Sequence, residues 1–227
     1  MKKITLSIII LFTLSFSAIS HVGHYEKFEY LEYELFRNNE LIGYHKYDFV
    51  RENNVLSVKS EVNFKITKLG VDLYRYYAES NEIYKDDKFS QFYSKTIQNK
   101  KDKYVNISVS SNKNELIIDG SSYKGAAPID SIVGTWWNHE IVKAKQQISA
   151  ISGRIIAQTV TFVGKEEIKL GNKTYNALHF NFKSSDESLP DNKKLNTDIW
   201  YDENSLLWLK AAFDKTGYWE YRIKDFK

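Results

Sequence analysis

The chain has 227 residues, no cysteine and a formal charge of +3. Without cysteine there is no disulfide, no thiolate metal site, no thiol catalysis and no lipidation at a cysteine. The balanced charge argues against a nucleic-acid binder, which concentrates its basic residues, and the one basic run, Lys100, Lys101 and Lys103, is broken by Asp102.

Lys2 and Lys3 precede an apolar run that ends at Phe16, and Ala18-Ile19-Ser20 places small residues at minus three and minus one. This is the pattern of a secretory signal peptide. The apolar stretch from Ile4 to Ile19 is shorter than the roughly 20 residues that span a bilayer. Residues 1–20 are therefore read as a signal peptide, and residues 21–227 as a single β-rich domain, periplasmic or secreted, with no transmembrane anchor after cleavage. Loss of the two lysines brings the formal charge to +1. A chain starting at His21 would present an amine and an imidazole suited to Cu(II). A loose terminus is the plainer reading, and no metal site is assigned.

Beyond the N-terminus the dominant signal is alternation. Val62, Phe64 and Ile66 alternate with Asn63, Lys65 and Thr67. Val105, Ile107 and Val109 do the same, as do Leu178, Phe180 and Phe182, then Leu207, Leu209, Ala211 and Phe213, and finally Trp219, Tyr221 and Ile223. Period two gives each strand one buried and one wet face. Asn38-Asn39, Asn53-Asn54, Asp119-Gly120, Gly171-Asn172 and Thr216-Gly217 separate these runs, and their residues accept the positive φ of tight hairpins. The pattern predicts a mainly β fold: a single-domain antiparallel meander of roughly ten to twelve strands, forming a curved sheet, half-barrel or barrel. Phe64, Val105, Ile107, Phe180, Leu209 and Phe213 are the expected core. One segment departs from period two. Val133, Trp137, Ile141, Ala144 and Ile148 recur at steps of three and four, which predicts one helix around Trp136 to Lys145. Ser184 to Leu195, with Pro190, reads as a loop.

Three stretches resemble a family of bacterial exported proteins classed only as a domain of unknown function. They are Tyr33-Glu34-Leu35 with Leu41-Ile42-Gly43-Tyr44-His45, then Trp136-Trp137-Asn138 with Gly153-Arg154, then Asp198-Ile199-Trp200-Tyr201-Asp202 with Leu206-Leu207-Trp208-Leu209 and the hairpin Gly217 to Tyr221. The resemblance implies an envelope protein with a β-rich fold and implies no activity.

No phosphate loop, serine-nucleophile elbow or zinc-binding helix motif occurs. No catalytic residue and no cofactor is assigned. His179 reads as a structural histidine, and Asp202-Glu203-Asn204-Ser205 as a hairpin loop rather than half of a carboxylate pair. The tryptophans are the remaining feature. Trp200 is out of phase with Ile199 and Tyr201, and Trp208 with Leu207 and Leu209, so either both sheet faces are covered or one meets a ligand. On the expected helix Trp137 belongs to the packed stripe, which leaves Trp136 for a ligand and Asn138 to fix the loop or a polar group of the ligand, with Trp200 and Trp208 facing the same space. The leading reading is an exported envelope protein that binds a lipid or other apolar molecule in a curved sheet. The alternatives are an assembly protein that binds another envelope protein, and a hydrolase whose site would collect His45, His179, Asp198 or Asp202.

Overall fold

The computed structural model describes residues 25–227. The signal-peptide and His21 readings lie outside the described residues. The alternating runs form strands β1 (Tyr30–Arg37), β2 (Glu40–Glu52), β3 (Val55–Lys68), β4 (Val71–Lys85), β5 (Lys88–Gln98), β6 (Lys101–Val109), β7 (Glu115–Gly120) and β8 (Lys124–Pro128). After them come β9 (Ile132–Val133), β10 (Gln146–Ile148), β11 (Ile155–Leu170), β12 (Lys173–Ser184), β13 (Asn196–Asp202), β14 (Trp208–Asp214) and β15 (Tyr218–Phe226). All fifteen belong to one sheet, ordered β8-β7-β6-β5-β4-β3-β2-β1-β15-β14-β13-β12-β11-β10-β9. Every pairing is antiparallel except β9 with β10. The count exceeds the expected ten to twelve because β8, β9 and β10 are too short to show alternation.

The two edge strands, β8 and β9, are not hydrogen-bonded to each other, yet they follow one another in sequence. Three residues carry the chain from one edge to the other, through a turn in which Ser131 N–H donates to the Pro128 carbonyl (3.0 Å). Val133 of β9 and Ile148 of β10 are buried with Phe92, Val105, Ile107, Leu116, Ile118 and Ala127 on the inner face of β5–β8. The sheet therefore rolls up, and its two wings meet by side-chain packing without a hydrogen-bonded seam. A larger core fills the rest of the roll, from Tyr25 and Leu31 through Tyr47, Val58 and Phe64 to Phe182, Ile199, Tyr201 and Ile223. Of the expected core residues, Phe64, Val105, Ile107 and Leu209 are buried, whereas Phe180 and Phe213 are only half-buried.

The expected helix is absent. Between β9 and β10 the chain forms only a 3-10 turn, His139–Val142, inside the roll. A second 3-10 turn, Asp191–Lys193, lies between β12 and β13, and no α-helix occurs among the described residues. The three-and-four spacing has another cause. Val133 and Ile148 belong to strands, while Trp137 and Ile141 are buried in an irregular plug that touches the wall on several sides. Trp136, held at φ 60°, breaks a helical path, and Gly134 lies so close to the Gln147 side chain that a Cβ there would meet its Oε1 at 2.2 Å.

Gly43 shows why the isoleucine-glycine step matters. It lies directly opposite Phe64 on β3, and a Cβ there would stand 2.1 Å from the Asn63 carbonyl oxygen and 2.5 Å from the Phe64 Cβ. Only a residue with no side chain permits this approach. Gly43→Ala is expected to force β2 from β3 and cost about 2–3 kcal/mol, measured as a lower urea midpoint with an unchanged slope.

Candidate functional site

The roll encloses a cavity of about 530 Å³ between β2–β5, the plug and the start of β13. Its origin is in the register. Ser60, Ser80 and Ser94 are directly opposite one another across β3, β4 and β5, and Val62, Ala78 and Thr96 form the adjacent row. These six small side chains face inward where neighbouring positions carry rings, and all six line the cavity. Trp136, Phe213 and Tyr221 line the opposite side, and Lys194 and Lys215 stand at the strand ends where the cavity opens.

The plug is irregular backbone in a buried place, so its polar groups must find partners. Side chains from the wall supply them. The Tyr47 hydroxyl donates to the Thr135 carbonyl (2.7 Å) and the Tyr201 hydroxyl to the Trp136 carbonyl (2.8 Å). Gln158 Nε2 donates to the carbonyls of Ile141 (3.1 Å) and Ala144 (3.0 Å). Glu82 of β4, 2% exposed, accepts from Trp137 Nε1 (2.9 Å), the Thr135 hydroxyl (3.1 Å) and the Tyr84 hydroxyl (2.6 Å). No cation among the described residues pairs with it, and burial raises its pKa against the effect of the three donors.

His45 sits among Tyr33, Tyr47, Trp208 and Tyr221, its ring 4.3 Å from that of Tyr47. Both ring nitrogens are buried and have no hydrogen-bond partner among the described residues. Burial pushes its pKa down to about 3. Trp136 lies beside the cavity with its indole N–H likewise buried and unpartnered. Its backbone is in the left-handed region, where a bulky residue is a true outlier. Such strain persists only where surroundings impose it, here the bond from Tyr201 and edge contacts with Trp208 (5.5 Å) and Tyr221 (5.6 Å).

The structure separates the other residues singled out in the sequence. The Asn138 side chain is fully engaged away from the cavity: it accepts from Glu140 N–H (3.1 Å) to cap the 3-10 turn and donates to the Tyr84 hydroxyl (3.2 Å). Trp208 and Trp200 face opposite sides of the sheet. Simple alternation would put Trp208 outside with Lys210. A bulge intervenes, since Trp200 pairs with Lys210 but Tyr201 pairs with Trp208, so Leu209 is the extra residue. Trp208 thereby turns inward and stacks on Tyr33 at 4.1 Å. Trp200 stays outside, stacked on His179 at 4.3 Å and covered by Lys210. His179 stands between Glu166 and Asp198, each 3.0 Å from a ring nitrogen. His45 and His179 therefore do not meet, and Asp202 is occupied in holding the hairpin loop through Asn204 and Ser205. No group of three or more His, Asp or Glu side chains suited to a metal ion occurs among the described residues. Two features escaped the sequence reading: buried Glu82, which sits in the polar run Ser80-Asn81-Glu82, and the small-residue rows, visible only once the register is known.

A rolled antiparallel sheet with a plugged interior defines a β-barrel-like protein. The chain belongs to the family described as a domain of unknown function (DUF6134), whose model matches residues 33–224. Its fold is similar to a crystal structure described as a β-barrel-like protein of domain of unknown function DUF1849 from Brucella abortus, with a TM-score of 0.61 and 10% identity over 87% of this chain and 96% of that one. At that identity the likeness concerns the fold alone. No curated protein matches the chain.

His45 and Glu82 act in opposite directions on stability. His45 stays neutral in the folded chain but protonates near 6.5 when unfolded. Its contribution is complete above about pH 6.5 and is lost as pH falls toward 3, by up to about 1.4 kcal/mol per unit. Glu82 has a raised pKa, so its contribution declines as pH rises from about 4.3 toward the raised value. Urea titrations across pH are expected to show a flattened acid limb for His45→Phe. Glu82→Ala is expected to cost about 3–5 kcal/mol by leaving three buried donors without an acceptor, and Glu82→Gln much less.

Proposed function

We propose that the protein is an exported cell-envelope module that holds a lipid or other apolar small molecule in its interior cavity. The observation that carries this reading is the cavity itself. Its volume of about 530 Å³ falls within the roughly 300–1,000 Å³ typical of small-molecule sites. Protein interiors otherwise pack to crystal-like density, yet two adjacent rows of small residues keep this space unfilled by side chains. Rings line one side of it, serine and threonine hydroxyls the other, and Lys194 and Lys215 stand with Asp191 and Asp214 at its mouth. That distribution suits an amphiphile with its apolar part inside and its polar part at the opening. The same lining argues against a hydrolase: its one imidazole, His45, is held neutral and has no carboxylate beside it to form an acid–base pair.

Native mass spectrometry of protein purified from its own envelope is expected to detect a retained apolar molecule. An apolar fluorescent probe should bind stoichiometrically and quench tryptophan emission. Ala78→Leu, which fills the cavity, should weaken that binding roughly tenfold or more while holding or raising the melting temperature. Trp136→Ala should weaken it with little change in melting. If nothing is retained and no probe binds, the carrier reading fails and an assembly role takes its place.

A further inference from the structure

The tip of the β3–β4 hairpin departs from the rest of the molecule in three ways. First, it projects. The pairing of β3 with β2 stops at Phe64, and that of β4 with β5 stops at Tyr76, so residues 65–75 form a two-stranded arm whose strands pair only with each other. A bond from Asn99 N–H to the Arg75 carbonyl ties its base to the neighbouring β5–β6 hairpin.

Second, its turn residue is the wrong one for a turn. Leu69 has φ 51° and Gly70 φ 77°. Two positive φ values in succession call for Asn, Asp or Gly. The turns at Asn38-Asn39, Asp86-Asp87, Asn53 and Asn99 obey this, while Lys113, Leu206 and Thr216 also take positive φ without being Asn, Asp or Gly. At this tip it places a leucine that is 95% exposed, with Val71 at 61% and Leu73 at 57% just behind it. A strained, solvent-facing leucine contributes nothing to folding, and exposed apolar clusters of this kind mark interaction sites.

Third, the apolar tip is set among cations. The arm carries Lys65, Lys68 and Arg75, and the adjoining hairpin Lys100, Lys101 and Lys103. Only Asp72 and Asp102 oppose them, and Asp72 is held by Arg75 at 2.7 Å. The arm and the hairpin at its base thus carry six cations against two carboxylates, on a chain that is otherwise nearly balanced. An apolar wedge beside long basic side chains is complementary to an anionic lipid surface, where lysine stems cover apolar surface while their ammonium groups reach the head groups.

We propose that the arm docks the protein on an anionic lipid bilayer. Leu69, Val71 and Leu73 enter the acyl boundary, and Lys65 and Lys68 rest at the head groups. The arm adjoins the cavity mouth through a run of rings. Phe64 stacks on Tyr76 at 4.7 Å and meets Trp219 at 5.4 Å, and Trp219 stacks on Phe213, which lines the cavity as Tyr76 does. Docking thus turns the opening toward the bilayer. The docking itself rests on the arm alone and stands whether or not the cavity carries a ligand.

The test is flotation of protein expressed from its full sequence with vesicles of phosphatidylcholine alone or with one third phosphatidylglycerol. The wild type should float with the anionic vesicles and far less with the neutral ones. Leu69→Asn with Val71→Thr and Leu73→Thr should weaken partitioning on the order of a hundredfold. Its melting temperature should hold or rise, since asparagine accepts the left-handed turn. Lys65→Gln with Lys68→Gln should cost roughly twentyfold and lower the salt dependence. Probe binding in the cavity should be unaffected by either set, which separates failure of docking from failure of the carrier reading. A wild type that ignores anionic vesicles, a triple variant that floats like wild type, or a lipid-free dimer abolished by the triple variant would each overturn the proposal.

Discussion

The architecture depends on satisfying buried backbone. A segment whose one regular element is a single 3-10 turn, residues 134–145, runs through the interior of a sheet whose own ladders are already paired. Its carbonyls have no helix or strand to bond to, and each one left bare would cost about as much as a lost buried hydrogen bond. The wall answers with long side chains that end in donors. Tyr47, Tyr201 and Gln158 reach the plug carbonyls, and Glu82 collects donors from the plug side chains. The abundance of tyrosine follows from this need. Each such ring adds apolar packing along its length and one polar contact at its end, which suits a wall that must be both core and scaffold.

The same arrangement explains the cavity. The plug is pinned at discrete points and so cannot collapse onto the small-residue rows of β3–β5. Ser94 donates to the Ala150 carbonyl and Ser60 pairs with Ser80, which spends the hydroxyls nearest the plug on local bonds. A space bounded by fixed struts on one side and sheet on the other is the expected result. Trp136, in a strained backbone conformation and with its indole nitrogen unpartnered, is where the pinning conflicts most with local preference.

Much of the fold could be read from the chain, because period-two alternation and Asn or Gly turns are local signals that the tertiary structure obeys. The failures have physical causes. The three-and-four spacing from Val133 to Ile148 imitates a helix because an irregular plug also buries residues at intervals. Alternation sets Trp208 on the face opposite Leu209 and with Lys210, and a single bulged residue, Leu209, shifts the phase so that Trp208 and Lys210 part. Trp200, read by the same rule on a strand without such an insertion, was placed correctly relative to Ile199 and Tyr201. Of the four residues expected around a ligand, only Trp136 lines the cavity. The cavity arises from residues aligned across three strands, and such alignment depends on register, which no single stretch of sequence contains.

The strand order carries a consequence for how the molecule assembles. β1 and β15 are neighbours in the middle of the sheet, with Leu31 opposite Phe226 and Arg37 opposite Trp219. The consecutive strands β8 and β9, by contrast, form its two free edges. Both wings can zip as local hairpins, but the seam that unites them is the contact of greatest sequence separation. It carries the largest loop-closure entropy and so belongs late in folding. Until the last strand is available, the central position of the sheet presents β1 as an open template, and the wings are two half-sheets hinged at residues 129–131. A chain whose first and last strands must pair with each other acquires its full stability only when both are available.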